Sequence, residues 1–336
     1  MNPVCKRLFF TSQKTCPKAS VSIPPYLPAA RARFNKVKVL WKARCKAPEK
    51  SAKQNTKKDR EMQEHAKGIV RKMSARLEDT VAYSLRLGDH AVSANDLIEK
   101  QVKLEFTGEI FCVNCARKTS KSFNQGFCYP CFQKLAACDS CIIHPERCHF
   151  EQGTCREPAW GEQFCMQDHI VYLANSSGLK VGITRATQVP TRWIDQGATQ
   201  ALPVMRVRTR LQSGALEVAF KQHVADKTNW RDMLKGTAVT LDMPAESARL
   251  IASCRDEIDA MTENFGEFAL SAINGVDTVE INYPVVKYPE KIMSQNFDKD
   301  PCVEGTLLGI KGQYLLFDTG VINLRKFSGY EVAVSY

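Results

Sequence analysis

Nowhere in its 336 residues does the sequence sustain the ~18–20 consecutive apolar side chains a membrane-crossing helix needs, which excludes a helical span. A secretory leader is also missing, because Leu8-Phe9-Phe10 is too short for its hydrophobic segment. The fourteen cysteines are therefore not read as an extracellular disulfide framework. CxxC pairs in a cytoplasmic chain, the location expected here, more often bind metal. There is no internal repeat, which excludes a solenoid or propeller. Acidic residues are missing before Glu49: residues 1–60 hold 16 Lys/Arg against Glu49 and Asp59 alone. The whole chain carries +11, so everything beyond residue 60 sums to −3. The pI near 9.0 thus belongs to a tail, and basicity alone does not argue for a nucleic-acid partner.

Residues 1–61, with scattered prolines and a lysine-rich run from Lys46 to Arg60, read as a disordered basic tail. The lack of acid also suits an organelle transit peptide, and translation starting at Met62 is a third reading. Residues 62–111 form a β-rich lead-in, where Val81, Tyr83, Leu85 and Leu87, then Val102, Leu104 and Phe106, alternate with polar neighbours. Residues 112–169 are poor in core residues and dense in Cys, Pro and Gly, so metal is expected to fold them. Residues 170–240 read as hairpin, helix, strand and helix, the hairpin turning at Asn175-Ser176-Ser177-Gly178 and the last helix covering 214–226. A helical segment follows over 241–275, with one helix at 245–263, and then a glycine-punctuated β-rich stretch over 276–336 that could pair with the strands of 70–110. The fold class is α+β: a small antiparallel sheet with flanking helices, preceded by a zinc ribbon and accompanied by a β-rich domain.

Nine of the cysteines fall between Cys112 and Cys165. Cys112-x2-Cys115 and Cys128-x2-Cys131 are separated by twelve residues. Each CxxC makes a tight knuckle aiming two thiolates inward, and two knuckles complete a tetrahedron around zinc. Such a site is closed and structural. A second centre is expected at Cys138, Cys141, Cys148 and Cys155, with His149, Cys165 and His169 as alternative ligands; four thiolates hold zinc or an iron–sulfur cluster. Arg206, Arg208 and Arg210 alternate along one strand and would share a face suited to nucleic acid. Phe123, Phe127 and Tyr129 could stack on bases or cover the metal core.

The triplets Ile170-Val171-Tyr172 and Lys180-Val181-Gly182 resemble the two name-giving motifs of the GIY-YIG nuclease superfamily. Arg192, Glu217 and Asn229 follow in that family's order, the last two twelve positions apart. The resemblance covers roughly residues 168–235. It implies a metal-dependent endonuclease, or a degenerate relative, acting on DNA or RNA. Tyr172 would be the base or orient water, Arg192 would bind the scissile phosphate, Glu217 would hold magnesium and Asn229 would brace the site. Two departures bear on the chemistry: the first triplet lacks its glycine, and Lys180 stands where the second tyrosine belongs. The alternative is a non-catalytic zinc-dependent nucleic-acid-binding module. From about residue 66 onward the chain also resembles a microbial family catalogued as a domain of unknown function, carried by Lys121 to Cys128, Gly153 to Pro158 and Lys180 to Arg185.

Overall fold

Period-two alternation becomes antiparallel sheet in the computed structural model, which describes residues 64–224 and 229–336. The basic stretch 1–61 lies outside the described residues. In chain order, β1 (Glu64–Arg76), β2 (Ala82–Leu87), β3 (His90–Ser93), β4 (Gln101–Phe111) and β5 (Lys118–Thr119) come first. Two short helices, α1 (Tyr129–Lys134) and α2 (Pro158–Phe164), frame the cysteine-rich region. Then come β6 (His169–Asn175), β7 (Leu179–Arg185), α3 (Thr191–Asp195), β8 (Gln200–Val207), α4 (Arg210–Phe220), α5 (Trp230–Lys235), α6 (Met243–Ser253) and α7 (Arg255–Phe265). The last strands are β9 (Leu270–Ala272), β10 (Val279–Glu280), β11 (Cys302–Lys311), β12 (Tyr314–Phe317), β13 (Gly320–Asn323) and β14 (Tyr330–Ser335). No described helix is long and apolar enough to cross a membrane.

Nine strands join in the larger antiparallel sheet, in the order β13-β12-β11-β4-β14-β1-β2-β3 with β5 on β4. The lead-in and the C-terminal stretch are therefore one sheet, the pairing expected of the two β-rich stretches. Along β4, Val102, Leu104, Phe106 and Ile110 are buried while their neighbours are not, which is the pleat expressed as burial.

The smaller sheet runs β10-β8-β6-β7, with β9 on β8. Tyr172 pairs with Gly182 and Ala174 with Lys180, so the expected hairpin forms in register. One face carries Val171, Leu173, Val181, Met205 and Val207 into a core closed by Leu216 and Phe220 of α4 and Met243 and Leu250 of α6. β9 and β10 complete this sheet, so its unit extends well beyond residue 240.

Three expectations are corrected. α4 begins at Arg210 and ends at Phe220 rather than covering 214–226. The cause is a capping box: Thr209 accepts from the Gln212 backbone while the Gln212 side chain accepts from the Thr209 N–H, satisfying donors that a bare helix end leaves open. The strand before it ends at Val207, so Arg206, Arg208 and Arg210 do not share a strand face. The helix expected at 245–263 is two, α6 and α7, broken at Cys254, whose side chain is fully buried with its thiol directed at the Ala219 carbonyl of α4.

Candidate functional site

Each CxxC forms the knuckle its spacing implies. In the first, Ala116 donates to the Cys112 carbonyl and adopts a left-handed backbone. In the second, Cys128 precedes α1, and Pro130 in its first turn forfeits only a donor that would have gone unused there. The four sulfurs of Cys112, Cys115, Cys128 and Cys131 lie within 4.8 Å of one another, with Cys115 and Cys128 at 3.7 Å. A tetrahedral zinc with ~2.3 Å bonds sets its sulfurs about 3.8 Å apart, so the cage fits one ion. Burial pushes the Cys112 thiol up, but backbone N–H groups of Cys115, Cys128 and Asn114 outweigh it and bring it down to about 6. Cys131 shifts the other way, up to about 12: the Asn114 side chain favours its thiolate, but burial and the Cys128, Cys115 and Cys112 sulfurs outweigh it. Phe123 packs on Tyr129 and Phe132 with centroids 5.4 and 5.7 Å away, so these aromatics cover the ribbon, although Tyr129 remains exposed.

The next four cysteines divide differently from the expected set. Cys138 is near the Asn124 side chain and within electrostatic reach of Cys112. Cys141, Cys148, Cys155 and Cys165 instead line one small cavity together with Asp139, His149, Phe150 and Trp160, and Asp139, Cys141 and His149 offer ligand atoms within 4.8 Å of one another. His169 is fully buried at the start of β6, its Nδ1 2.7 Å from the Gln167 carbonyl, and burial pushes it down to about 4. Arg156 shows why the residues after Gly153 matter. Its guanidinium reaches the Phe132, Gln133 and Leu135 carbonyls at the end of α1 and pairs with Asp139 at 2.7 Å. A cation placed there also complements the negative end of the helix.

The candidate catalytic residues partly converge. The Tyr172 ring lies across Gly182, where a Cβ would come within 2.7 Å of the phenol oxygen; only glycine leaves room for this arrangement. Trp193 of α3 meets the ring edge-on, with centroids 5.9 Å apart. Burial pushes the Tyr172 hydroxyl up to about 12; Arg192 and Gln196 oppose this, and the Glu217 carboxylate adds to it. Arg192 of α3 and Glu217 of α4 therefore both lie within electrostatic reach of Tyr172 on β6. Tyr172 is nonetheless wholly buried, and its oxygen makes no well-formed hydrogen bond. Lys180 shares its sheet face and is 5% exposed. Glu217 is paired with Lys221 at 3.2 Å and is 14% exposed.

Asn229 is elsewhere. Its side chain caps α5 and contacts Asp232, while its backbone N–H donates to Ser177 in the hairpin turn. Arg206 meets Asp168 at 3.4 Å, Arg208 donates to the Phe268 carbonyl, and Arg210 turns into the cysteine region to reach the Cys141 and Ile142 carbonyls.

Residues from the large sheet, invisible to motif spacing, close the site. Asp195 at the end of α3 is 2% exposed; it pairs with Lys72 of β1 and accepts from Gln313 at 2.9 Å. Arg325 also stands here. Burial first and the Arg192 guanidinium second lower its pKa, and Asp195 opposes them. The two guanidiniums thus lie within electrostatic reach of each other.

α4 links the Glu217 side to the cysteine side. At Gly214 a Cβ would lie 2.3 Å from the Glu146 backbone nitrogen and 2.6 Å from the Pro145 carbonyl carbon. Gly214→Ala must push backbone away from backbone, and we expect it to cost about 2–4 kcal/mol. Thermal denaturation would measure this, and an unchanged Tm would show that the loop yields freely.

The fold and these two neighbourhoods can be set beside known proteins. No curated protein and no solved structure matches the chain. The family described as protein of unknown function (DUF2797) matches residues 99–332, a span holding the whole cysteine region, the smaller sheet and most of the C-terminal strands. The chain belongs to the DUF2797 family.

Proposed function

We propose that the chain is a metal-dependent endonuclease that cleaves phosphodiester bonds in nucleic acid, built on a GIY-YIG-like sheet and held by a zinc ribbon. One observation carries this reading: Arg192 and Glu217, distant in sequence, both come within electrostatic reach of Tyr172, whose ring lies across Gly182. Phosphodiester hydrolysis needs positive charge on the scissile phosphate and a cation on the leaving oxygen. Arg192 would supply the first, with Arg325 in electrostatic reach, since an anion held near both would relieve their repulsion. Glu217 would supply the carboxylate for magnesium, which takes few protein ligands and keeps its waters. Tyr172 is better suited to position the site than to act as a base, because burial disfavours its phenolate.

The test is nicking of DNA and RNA panels with and without Mg2+. Glu217→Gln should lower the rate at least ~100-fold, the scale of losing one electrostatic contributor. Equal inertness of wild type and variant on every panel would end the enzyme reading.

The full burial of Tyr172 and the lysine at 180 favour a second reading, a non-catalytic zinc-dependent nucleic-acid-binding module. Binding that persists in Glu217→Gln, without metal-dependent turnover, would select it.

A further inference from the structure

We propose that the small cavity beside α2 holds a second zinc ion, bound by Asp139, Cys141, Cys148 and His149. Among the described residues, Asp139, Cys141 and His149 are the only group besides the ribbon whose ligand atoms all lie within 4.8 Å of one another. All three line the cavity, and Cys148 lines it with them. Its room is about 10 Å³, roughly one water-sized sphere, which suits a single ion and excludes a polynuclear cluster. Gly161 keeps that room small: a Cβ there would press on the Phe150 ring at 2.7 Å and the Cys155 sulfur at 3.3 Å.

The hydrogen bonds around His149 prepare it as a ligand. The Thr154 hydroxyl donates to the His149 carbonyl at 3.3 Å, so its oxygen is left to accept from Nδ1 at 2.7 Å. With the proton on Nδ1, the lone pair stands on Nε2, 3.6 Å from Asp139 Oδ2. Nε2 and that carboxylate oxygen are then both acceptors, and a cation between them resolves their approach. A histidine whose tautomer is pinned by an outer hydrogen bond is the form that ligates metal. Asp139 is oriented in the same way: Arg156 Nε donates to its Oδ2 at 2.7 Å and the Ser140 hydroxyl to its Oδ1 at 3.1 Å.

Cys148 supplies the fourth ligand. Of the neighbouring thiols it acts most strongly on Cys141, ahead of Cys165. It closes the turn Pro145–Arg147, its N–H donating to the Pro145 carbonyl at 3.0 Å. The other two thiols of the cavity are engaged elsewhere: Cys155 donates to the Glu157 carbonyl at 3.6 Å, and Cys165 is influenced by Arg210 more than by any thiol. Two thiolates, an imidazole and a carboxylate are all donors that zinc accepts in a tetrahedral site. Together they leave a single negative charge around Zn2+, which Arg156 on Asp139 balances. The guanidinium of Arg210 reaches the Cys141 and Ile142 carbonyls, so the ion would also steady the first residue of α4, the helix bearing Glu217.

The experiment is metal analysis of the full chain, saturated with zinc and freed of excess by gel filtration. We expect about two zinc per chain, one from each site. Cys148→Ser and His149→Ala should each fall to about one, while Cys155→Ser and Cys165→Ser keep about two. Cobalt substitution of the wild type gives a second measurement that no misfolded variant can spoil. Its sulfur-to-metal absorption should reach about three quarters of that for two four-thiolate sites, six bonds against eight. A wild-type chain that saturates at one zinc, or that carries iron with labile sulfide, would overturn the site. Full four-thiolate intensity at both sites, or zinc lost in Cys165→Ser and kept in Cys148→Ser, would overturn the ligand set.

Discussion

Replacing Cys112 with serine is expected to release the ribbon's metal and destabilise the chain by more than about 4 kcal/mol. Cys112 is 2% exposed and directly follows β4, so its loss acts on the end of a central strand as well as on the ribbon. Residues 112–135 have little core of their own beyond Phe123, Phe127 and Phe132, which leaves metal binding as the main source of their folding energy. The ribbon also anchors to the body through Arg71 on the Val113 carbonyl, Ser122 on the Ser328 carbonyl and Arg325 on Gln125, and all three contacts depend on its shape. Elemental analysis with thermal denaturation provides the check. Equal zinc content and equal Tm in wild type and Cys112→Ser would refute the structural role.

The second large effect runs in the opposite direction: Lys311→Met should stabilise the chain at neutral pH. Lys311 is fully buried near the end of β11, its ammonium lies 5.3 Å from the ring centres of both Tyr283 and Tyr288, and its nitrogen has no hydrogen-bond partner. Burial brings its pKa down from 10.5 to about 8. The unfolded chain therefore holds this proton more tightly than the native one, so at pH 7 the charge costs roughly 3 kcal/mol, partly offset by the ring faces. Methionine keeps the stem's volume and removes the charge, giving an expected gain of about 1–3 kcal/mol. Between pH 8 and 10 the unfolded state binds more protons, so wild-type stability should climb and the advantage of methionine should shrink. Above pH 10 the buried tyrosines Tyr83, Tyr283 and Tyr288, all pushed up by burial, reverse the slope, because the unfolded chain then loses protons first. Denaturant titrations across that range would show it. A destabilised Lys311→Met with no alkaline gain in wild type would mean that the ammonium is held by a partner.

Local patterns were legible in proportion to how locally they are determined. The CxxC knuckles, the register of the β6–β7 hairpin and the alternation of β4 depend on neighbours a few residues apart, and all three formed as the spacing implies. The start of α4 was also legible in Thr209-x-x-Gln212, although the alternating arginines suggested a longer strand. What was hidden depends on chain crossings. Nothing near Cys165 in the sequence shows that the Arg210 N–H binds its carbonyl, and nothing near Arg192 shows that Arg325 will come within electrostatic reach of it. Tyr172 was readable as a motif residue, but its burial follows from α3 folding over it, held through Asp195 to Lys72 and Gln313 of the other sheet.

The position of β14 has a consequence for how the molecule is made. It lies between β4 and β1, and Glu331 bonds to Thr107 across a sequence separation of 224 residues. Contacts of that range are slow to form because the closure entropy comes before the reward. Until β14 arrives, β1 and β4 each present an open row of amides and carbonyls, the kind of edge that recruits foreign strands. The hairpin β6–β7 and the ribbon need no such distant partner, so they can be complete while the larger sheet is still waiting. The distant strand β14 is thus the one that seals the large sheet against aggregation.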